Sequence, residues 1–169
     1  MHLPEPSSLG ARSFSSVLDA RRSRRAHGEP PLRLSQISDL LSHVFTRHGD
    51  RRRYPSGGSC YPLTAHLAVS RCQGIEPGLY AYIDSSHTLQ PYSCRADELA
   101  PLLRGAGRAA ASSEIPQAVL ILSARFDKVQ LVYGDLSHSL ILKEVGCVFQ
   151  TVALVAAALG LAACPPGCR

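Results

Sequence analysis

The sequence predicts an α+β fold, a mostly antiparallel sheet packed against helices. Three stretches carry that prediction. GLYAYIDSSHTLQPY, Gly78–Tyr92, places apolar runs on both sides of an Asp-Ser-Ser-His turn, the pattern of a hairpin. In SQISDLLSHVFTRHG, Ile37, Leu40, Leu41, Val44 and Phe45 fall at helical spacing. The long apolar segment Ser137–Ala163 reads as a buried core helix.

Taken in order, residues 1–11 form an irregular arm, and residues 12–169 a single domain. Ser13–Arg22 is a short helix with Phe14, Val17, Leu18 and Arg21 on neighbouring turns, ending in the cluster RRSRR. HGEPP, His27–Pro31, is a loop. Ser35 then caps the second helix and Gly49 suits its far end. His43 and His48, on and just past this helix, read as surface groups because no acidic or Cys partner recurs near them. Leu63–Arg71 is a strand. Asp97–Arg104 is a short helix broken by Gly-Ala-Gly, and QAVLILSARF after Pro116 has the character of a buried central strand. Asp127–Asp135 is a loop or short helix; the core helix follows, with Gly146 a point for fraying or a kink.

Composition narrows the function. Net charge is +5, with ten Arg against five acids in residues 1–53 and an even balance after them. Sixteen of the 18 basic residues are Arg, which fits base composition as well as selection, and there is no Trp. Few stacking platforms remain for nucleic-acid bases. The six Cys are irregularly spaced with no Cys-x-x-Cys pair, which argues against a zinc site. The N-terminus has no apolar core of a secretory signal, so free thiols in the cytoplasm are expected. Thr151–Cys164 is apolar for 14 residues, short of the roughly 20 that a bilayer requires.

Three clusters can carry chemistry. In RRSRR, guanidinium forks match phosphate oxygens bidentately and Ser23 adds a hydroxyl; an exposed basic turn explains the cluster equally well. In RRRYPSGGSCYP, the loop Pro55–Ser59 has glycines that leave backbone N–H groups open to a flat ligand, although it also reads as a solvated turn. It lacks the ending of a phosphate-binding P-loop, and no strand leads into it as a dinucleotide fingerprint requires. In LGLAACPPG, prolines stop the helix and Gly167 exposes an N–H.

The order of these pieces resembles the nitroreductase-like flavoproteins, and among them the azoline-oxidising dehydrogenases of the SagB or cyanobactin-oxidase type. The matching segments are LPEP, ARRSRR, LSQISDLLSHVF, RRRYPSGGSCYPLTAHLAV, GLYAY, AVLILSARF and LILKEVGCVFQTVALVAAALGLAACPPG, from about residue 3 to the end. The resemblance implies an FMN-binding homodimer with the flavin between subunits. It implies that Arg21, Arg22, Ser23 and Arg25 hold the phosphate and the pyrimidine edge of the ring. Pro55, Ser56, Gly57, Gly58 and Ser59 would lie along the isoalloxazine, and Pro165, Pro166 and Gly167 would face its N5 atom. Gln150, expected to be buried midway along the core helix, would face the same pocket.

The implied reaction is hydride transfer from an azoline ring of a modified peptide to N5, with a protein base. The family's Lys-Tyr pair corresponds here to Val132-Tyr133. With the Lys absent, Tyr133 and His138 become the acid–base candidates, and Lys128 lies one helical turn earlier. The family continues past CPPG with another strand and an arm, so the chain is expected to be truncated there. A general nicotinamide-dependent nitro or quinone reductase, or a non-catalytic scaffold in a biosynthetic complex, are the alternative readings.

Overall fold

The computed structural model describes residues 1–25, 30–47 and 49–166. His48, Gly167 and most of the His27–Pro31 loop lie outside the described residues. The elements are α1 (Phe14–Ala20), β1 (Leu32–Arg33), α2 (Leu34–Phe45), β2 (Leu63–Val69), β3 (Cys72–Gln73), β4 (Gly78–Ile83), β5 (Thr88–Pro91), α3 (Ala96–Ala109), β6 (Ala118–Ala124), α4 (Phe126–Tyr133) and α5 (Ser137–Leu159).

A four-stranded antiparallel sheet in the order β5-β4-β2-β6 forms the centre, and β1 pairs with β3 in a small parallel ribbon. The predicted α+β class and hairpin are therefore present. The alternation of β2 sets the two faces. Leu63, Ala65, Leu67 and Val69 point into the main core with Ile37, Leu41, Val44 and Phe45 of α2 and Ile141, Val148 and Val155 of α5. On the other face Ala68, Val119 and Ile121 meet Leu99 and Leu103 of α3.

Several assignments differ from expectation: α2 ends at Phe45 with Thr46 rather than Gly49 at its far end, β2 stops at Val69, and others have a local reason. Arg33, not Ser35, takes the cap of α2, and its N–H bonds the Gln36 side chain at 2.9 Å. Helix α3 runs through Gly105-Ala106-Gly107 instead of breaking there. A Cβ on Gly107 would stand 2.8 Å from the Glu114 carbonyl oxygen, so this glycine permits a close chain return rather than a break. Strand β6 lies at the edge of the described sheet and is half-buried, not central. Helix α5 passes Gly146 without interruption and ends at Leu159, before the prolines. Gly160 takes φ +72°, and the Leu161 N–H closes the end on the Ala156 carbonyl at 2.8 Å.

The arm of residues 1–11 is irregular but pinned. Met1 and Leu89 exchange backbone bonds at 2.8 and 2.9 Å, and Leu3 is buried. The Ser7 N–H and hydroxyl both donate to Asp39, at 2.7 and 2.8 Å, while His43 Nε2 donates to the Ser7 carbonyl at 2.7 Å. His43 is thus buried in this contact, not a surface group. The arm covers the outer edge of β5, which would otherwise offer unpaired backbone groups.

Candidate functional site

The Pro55–Ser59 loop and the residues just after it form a constrained turn. Gly58, Ser59 and Tyr61 have φ of +57°, +55° and +44°. Ser59 and Tyr61 are L-residues in a region that costs about 1 kcal/mol or more each. Something must hold them there. The Ser59 and Cys60 N–H groups bond the Ser56 and Gly57 carbonyls at 3.2 and 3.1 Å. The Tyr61 N–H donates to Ser56 Oγ at 2.9 Å, and the Tyr61 hydroxyl accepts from the Arg52 N–H at 3.2 Å.

Arg52 anchors the segment from below. Its guanidinium donates to the Tyr54 hydroxyl at 2.6 Å, to the Leu63 carbonyl at 3.1 Å and to Asp84 at 2.8 Å. It also lies 5.5 Å from the centre of the Tyr61 ring. Burial disfavours its charge, but Tyr54 and Asp84 more than offset this and hold its pKa above the ordinary value. The charge of Arg52 is therefore committed within the fold. Of the arginines before the glycine turn, this one is structural.

Two further groups meet the loop. A Cβ on Gly58 would stand 2.7 Å from the Tyr133 hydroxyl, and one on Gly57 3.8 Å from Leu140. The end of α4 and the start of α5 are thus seated on the glycines. Ser56 Oγ donates to Glu144 Oε2 at 2.6 Å. Glu144 is buried in the stripe Ile141, Glu144, Val148 of α5, and burial pushes its pKa up.

The predicted acid–base candidates separate here. Tyr133 reaches the loop. His138 is exposed on α5 and stacks on Phe126, with ring centres 5.9 Å apart. No hydrogen bond joins them among the described residues. Lys128 lies on the Val132 side of α4, four residues before it.

The Arg cluster occupies another place. Arg22, Ser23, Arg24 and Arg25 are exposed and Arg21 is half-buried. The Arg24 N–H donates to the Ala163 carbonyl at 3.0 Å, and Arg12 reaches the Ala157 carbonyl at 3.3 Å. The structure thus joins two of the three predicted segments, the arginines and the stretch after α5. Pro165 and Pro166 are exposed there, and Gly167 lies outside the described residues. Gln150 is exposed on α5, not buried as expected.

The loop and the Arg cluster sit at opposite ends of α5. Glu144 marks the first and the helix end at Leu159 the second. At 1.5 Å per residue they are roughly 22 Å apart along the helix axis. Leu131 and Val132 of α4, Leu136 between the helices, and Leu142 and Phe149 of α5 are exposed. The run Phe126–Leu159 is apolar and long enough to cross a bilayer by composition. Its buried stripe, however, packs on α2 and the sheet in the core.

Sequence reasoning missed Glu144 and Arg52. The signal for Glu144 was a carboxylate inside an apolar i, i+3, i+7 stripe. Arg52 carried none, since its neighbours in the chain are also arginines.

A family model described as the nitroreductase family matches residues 18–169. A Methanocaldococcus jannaschii protein bearing the nitroreductase name (MJ1384) is 33% identical over 150 residues, 88% of this chain and 75% of its own length. The microcin B17-processing protein McbC of Escherichia coli is 28% identical over 138 residues, 77% of this chain and 50% of its own. Among solved structures, a protein named as a nitroreductase from Ralstonia eutropha superposes with a TM-score of 0.72 at 23% identity, covering 94% of this chain and 71% of that one. A chain of the E. coli microcin synthetase McbBCD complex, with truncated pro-MccB17 bound, gives 0.64 at 25% identity, covering 95% and 64%.

Proposed function

This chain belongs to the nitroreductase family of oxidoreductases, and we propose that within it the chain is an FMN-dependent dehydrogenase of the SagB type, oxidising azoline rings in a modified peptide. The observation that carries the finer reading is the likeness to McbC, a microcin B17-processing protein, in both sequence and fold.

The residues present fit FMN in two respects. Arg21, Arg22 and Arg25 form a basic cluster that is at least partly exposed, with no ion pair among the described residues, and a phosphate dianion would satisfy it. Gly57, Gly58 and Ser59 are exposed, so a planar ring would border this turn on the side that Tyr133 and Leu140 do not occupy.

Bound FMN supplies the hydride-accepting centre. The work left to this chain is placement and proton handling. Arg21, Arg22, Ser23 and Arg25 would grip the phosphate and ring edge, Pro55–Ser59 would border the ring, and Pro165 to Gly167 would close the side of N5. Tyr133, resting on Gly58, is the group best placed to hold or move a proton beside the ring. His138 is too far out in a single copy to share that role and would act only from the partner's side.

The proposal includes a homodimer. One ligand cannot easily meet both the loop and the Arg cluster of one copy, being set roughly 22 Å apart along α5. Two copies meeting through the exposed apolar face of α4 and α5 would bring the loop of one beside the arginines of the other. A place beside other biosynthetic proteins, as in the microcin synthetase complex, is part of this proposal.

The likeness to the M. jannaschii protein favours a second reading, a nicotinamide-dependent nitro or quinone reductase. The test is sequential. Purified protein is incubated with FMN, desalted and scanned; flavin absorbance at near 1:1 occupancy is expected. The loaded protein is then given an azoline-containing peptide or NADPH with a nitroarene. Turnover of the peptide alone supports the proposal, turnover of the nitroarene alone selects the reductase, and a colourless protein indicates a non-catalytic scaffold.

A further inference from the structure

We propose that Glu144 is a positioning residue for the ring-binding loop: by accepting the Ser56 hydroxyl it ties Ser56–Tyr61 to α5 and holds the left-handed turn in its ligand-ready shape. This deepens the FMN reading and rests on it.

Three observations carry the assignment. First, Glu144 occupies a core position between Ile141 and Val148, where an apolar side chain would fill the space without the cost of burying a carboxyl. Second, its contact forms a relay. Glu144 Oε2 accepts from Ser56 Oγ at 2.6 Å, and Ser56 Oγ accepts from the Tyr61 N–H at 2.9 Å. Tyr61 is the last of the three left-handed residues, so a single hydroxyl links the carboxyl to the strained backbone. Third, Glu144 Oε1 is buried with no partner among the described residues. A side chain kept only to satisfy its own polar atoms would not leave one of them orphaned.

The relay crosses 88 positions of sequence, from the loop to the first half of the helix that spans both half-sites. The charged and titratable groups facing Glu144 are Arg52 and Tyr54, both from the segment before the loop; Tyr133 closes the glycine side. Burial favours the uncharged carboxyl, and the Ser56 hydroxyl and Arg52 favour the charged one. Either form accepts the Ser56 hydroxyl, but the charged form binds it more tightly. Loop order is therefore expected to change with pH through this one group.

The experiment compares wild type with Glu144→Gln, Glu144→Leu and Ser56→Ala. Amide hydrogen exchange at Gly57–Tyr61 is read in the free protein, and FMN affinity in the loaded one, across pH. Loss of the acceptor in Glu144→Leu and loss of the hydroxyl in Ser56→Ala are each expected to raise loop exchange and the FMN dissociation constant by about 10-fold, one lost hydrogen bond. Glu144→Gln keeps an acceptor and is expected to stay within about 3-fold of wild type on both readouts while losing their pH dependence. Loop exchange unchanged in both Glu144→Leu and Ser56→Ala would overturn the proposal, as would pH dependence persisting in Glu144→Gln. Should wild type fail to take up FMN, the flavin reading falls, while the exchange measurements still decide whether Glu144 sets the loop. Should Glu144→Leu not fold, Ser56→Ala and Glu144→Gln carry the decision.

Discussion

The loop Ser56–Tyr61 and the Arg cluster Arg21–Arg25 are assembled in opposite ways. The loop is clamped before any ligand arrives: Arg52 holds it from one side, Glu144 from another, and Tyr133 sits on its glycines. Among the described residues the cluster is held by backbone bonds alone, Arg21 to Val17 and Leu18 and Arg24 to Ala163, and its side chains are largely in solvent. The difference follows from what each must do. A flat ring gains most from a surface already shaped to it, because no ordering cost then falls on binding. A phosphate is strongly hydrated, and arginines left in water keep their own hydration until the anion replaces it. Fold stability and ligand affinity should therefore separate between the two regions.

The strongest way to break this contrast is Arg52→Ala. It removes donors to Tyr54, Leu63 and Asp84 together and leaves Asp84 only the more distant Arg47, at 3.8 Å. A loss of about 3 kcal/mol is expected in urea denaturation, with the loop disordered as well. Arg52→Lys should recover only part of it, since an ammonium cannot fork across three acceptors. An unchanged midpoint would mean that the loop keeps its shape without this clamp.

Gly58→Ala comes next. It meets φ +57° and places a methyl 2.7 Å from the Tyr133 hydroxyl. A cost of about 2 kcal/mol is expected, roughly half of it from the backbone. Tyr133→Phe removes the nearest atom and leaves the next at 3.3 Å, so the same substitution in that background should cost only the backbone share. Additive effects would show that Tyr133 does not press on the loop.

These tests also mark what the sequence disclosed. The glycines of PSGGS and the arginines of RRSRR stand out because their special properties, a free φ and a planar cation, belong to the residue itself. The hairpin Gly78–Tyr92 and the helix of α2 are legible for the same reason, as local periodicity. Glu144 and Arg52 are not, because their roles lie in partners 88 and 32 positions away. The Gly-Ala-Gly of α3 misleads in the same way: its second glycine answers to Glu114, not to its own helix. The apolar run of β6 suggests a central strand, yet the described sheet ends at it.

The cluster should behave in reverse. Arg22→Ala with Arg25→Ala touches two exposed side chains, so stability should hold within about 0.5 kcal/mol. FMN affinity should fall by about 10-fold or more, and what remains should depend less on salt. A stability loss with unchanged affinity would invert the contrast and place the phosphate elsewhere.

The smallest effects come from two single protons of opposite sign, one at the loop and one away from it. Burial raises the Glu144 pKa above its ordinary 4.5, so the folded state holds this proton more tightly than the unfolded state. Its contribution is full below pH 4.5 and declines as pH rises through the raised value. His66, on β2, shares its ring nitrogens with Tyr92 and Ser123 at 3.0 and 2.7 Å. Burial lowers its pKa below 6.5, so its contribution is full above pH 6.5 and is lost as pH falls through the lowered value. Between those limits the two contributions change with opposite sign. Glu144→Gln should leave a profile that rises with pH, and His66→Gln one that falls. Urea midpoints measured from about pH 4 to 8 decide it: a wild-type curve that keeps its shape in both variants would show that neither proton is coupled to folding, and that the carboxyl beneath the loop is solvated rather than buried.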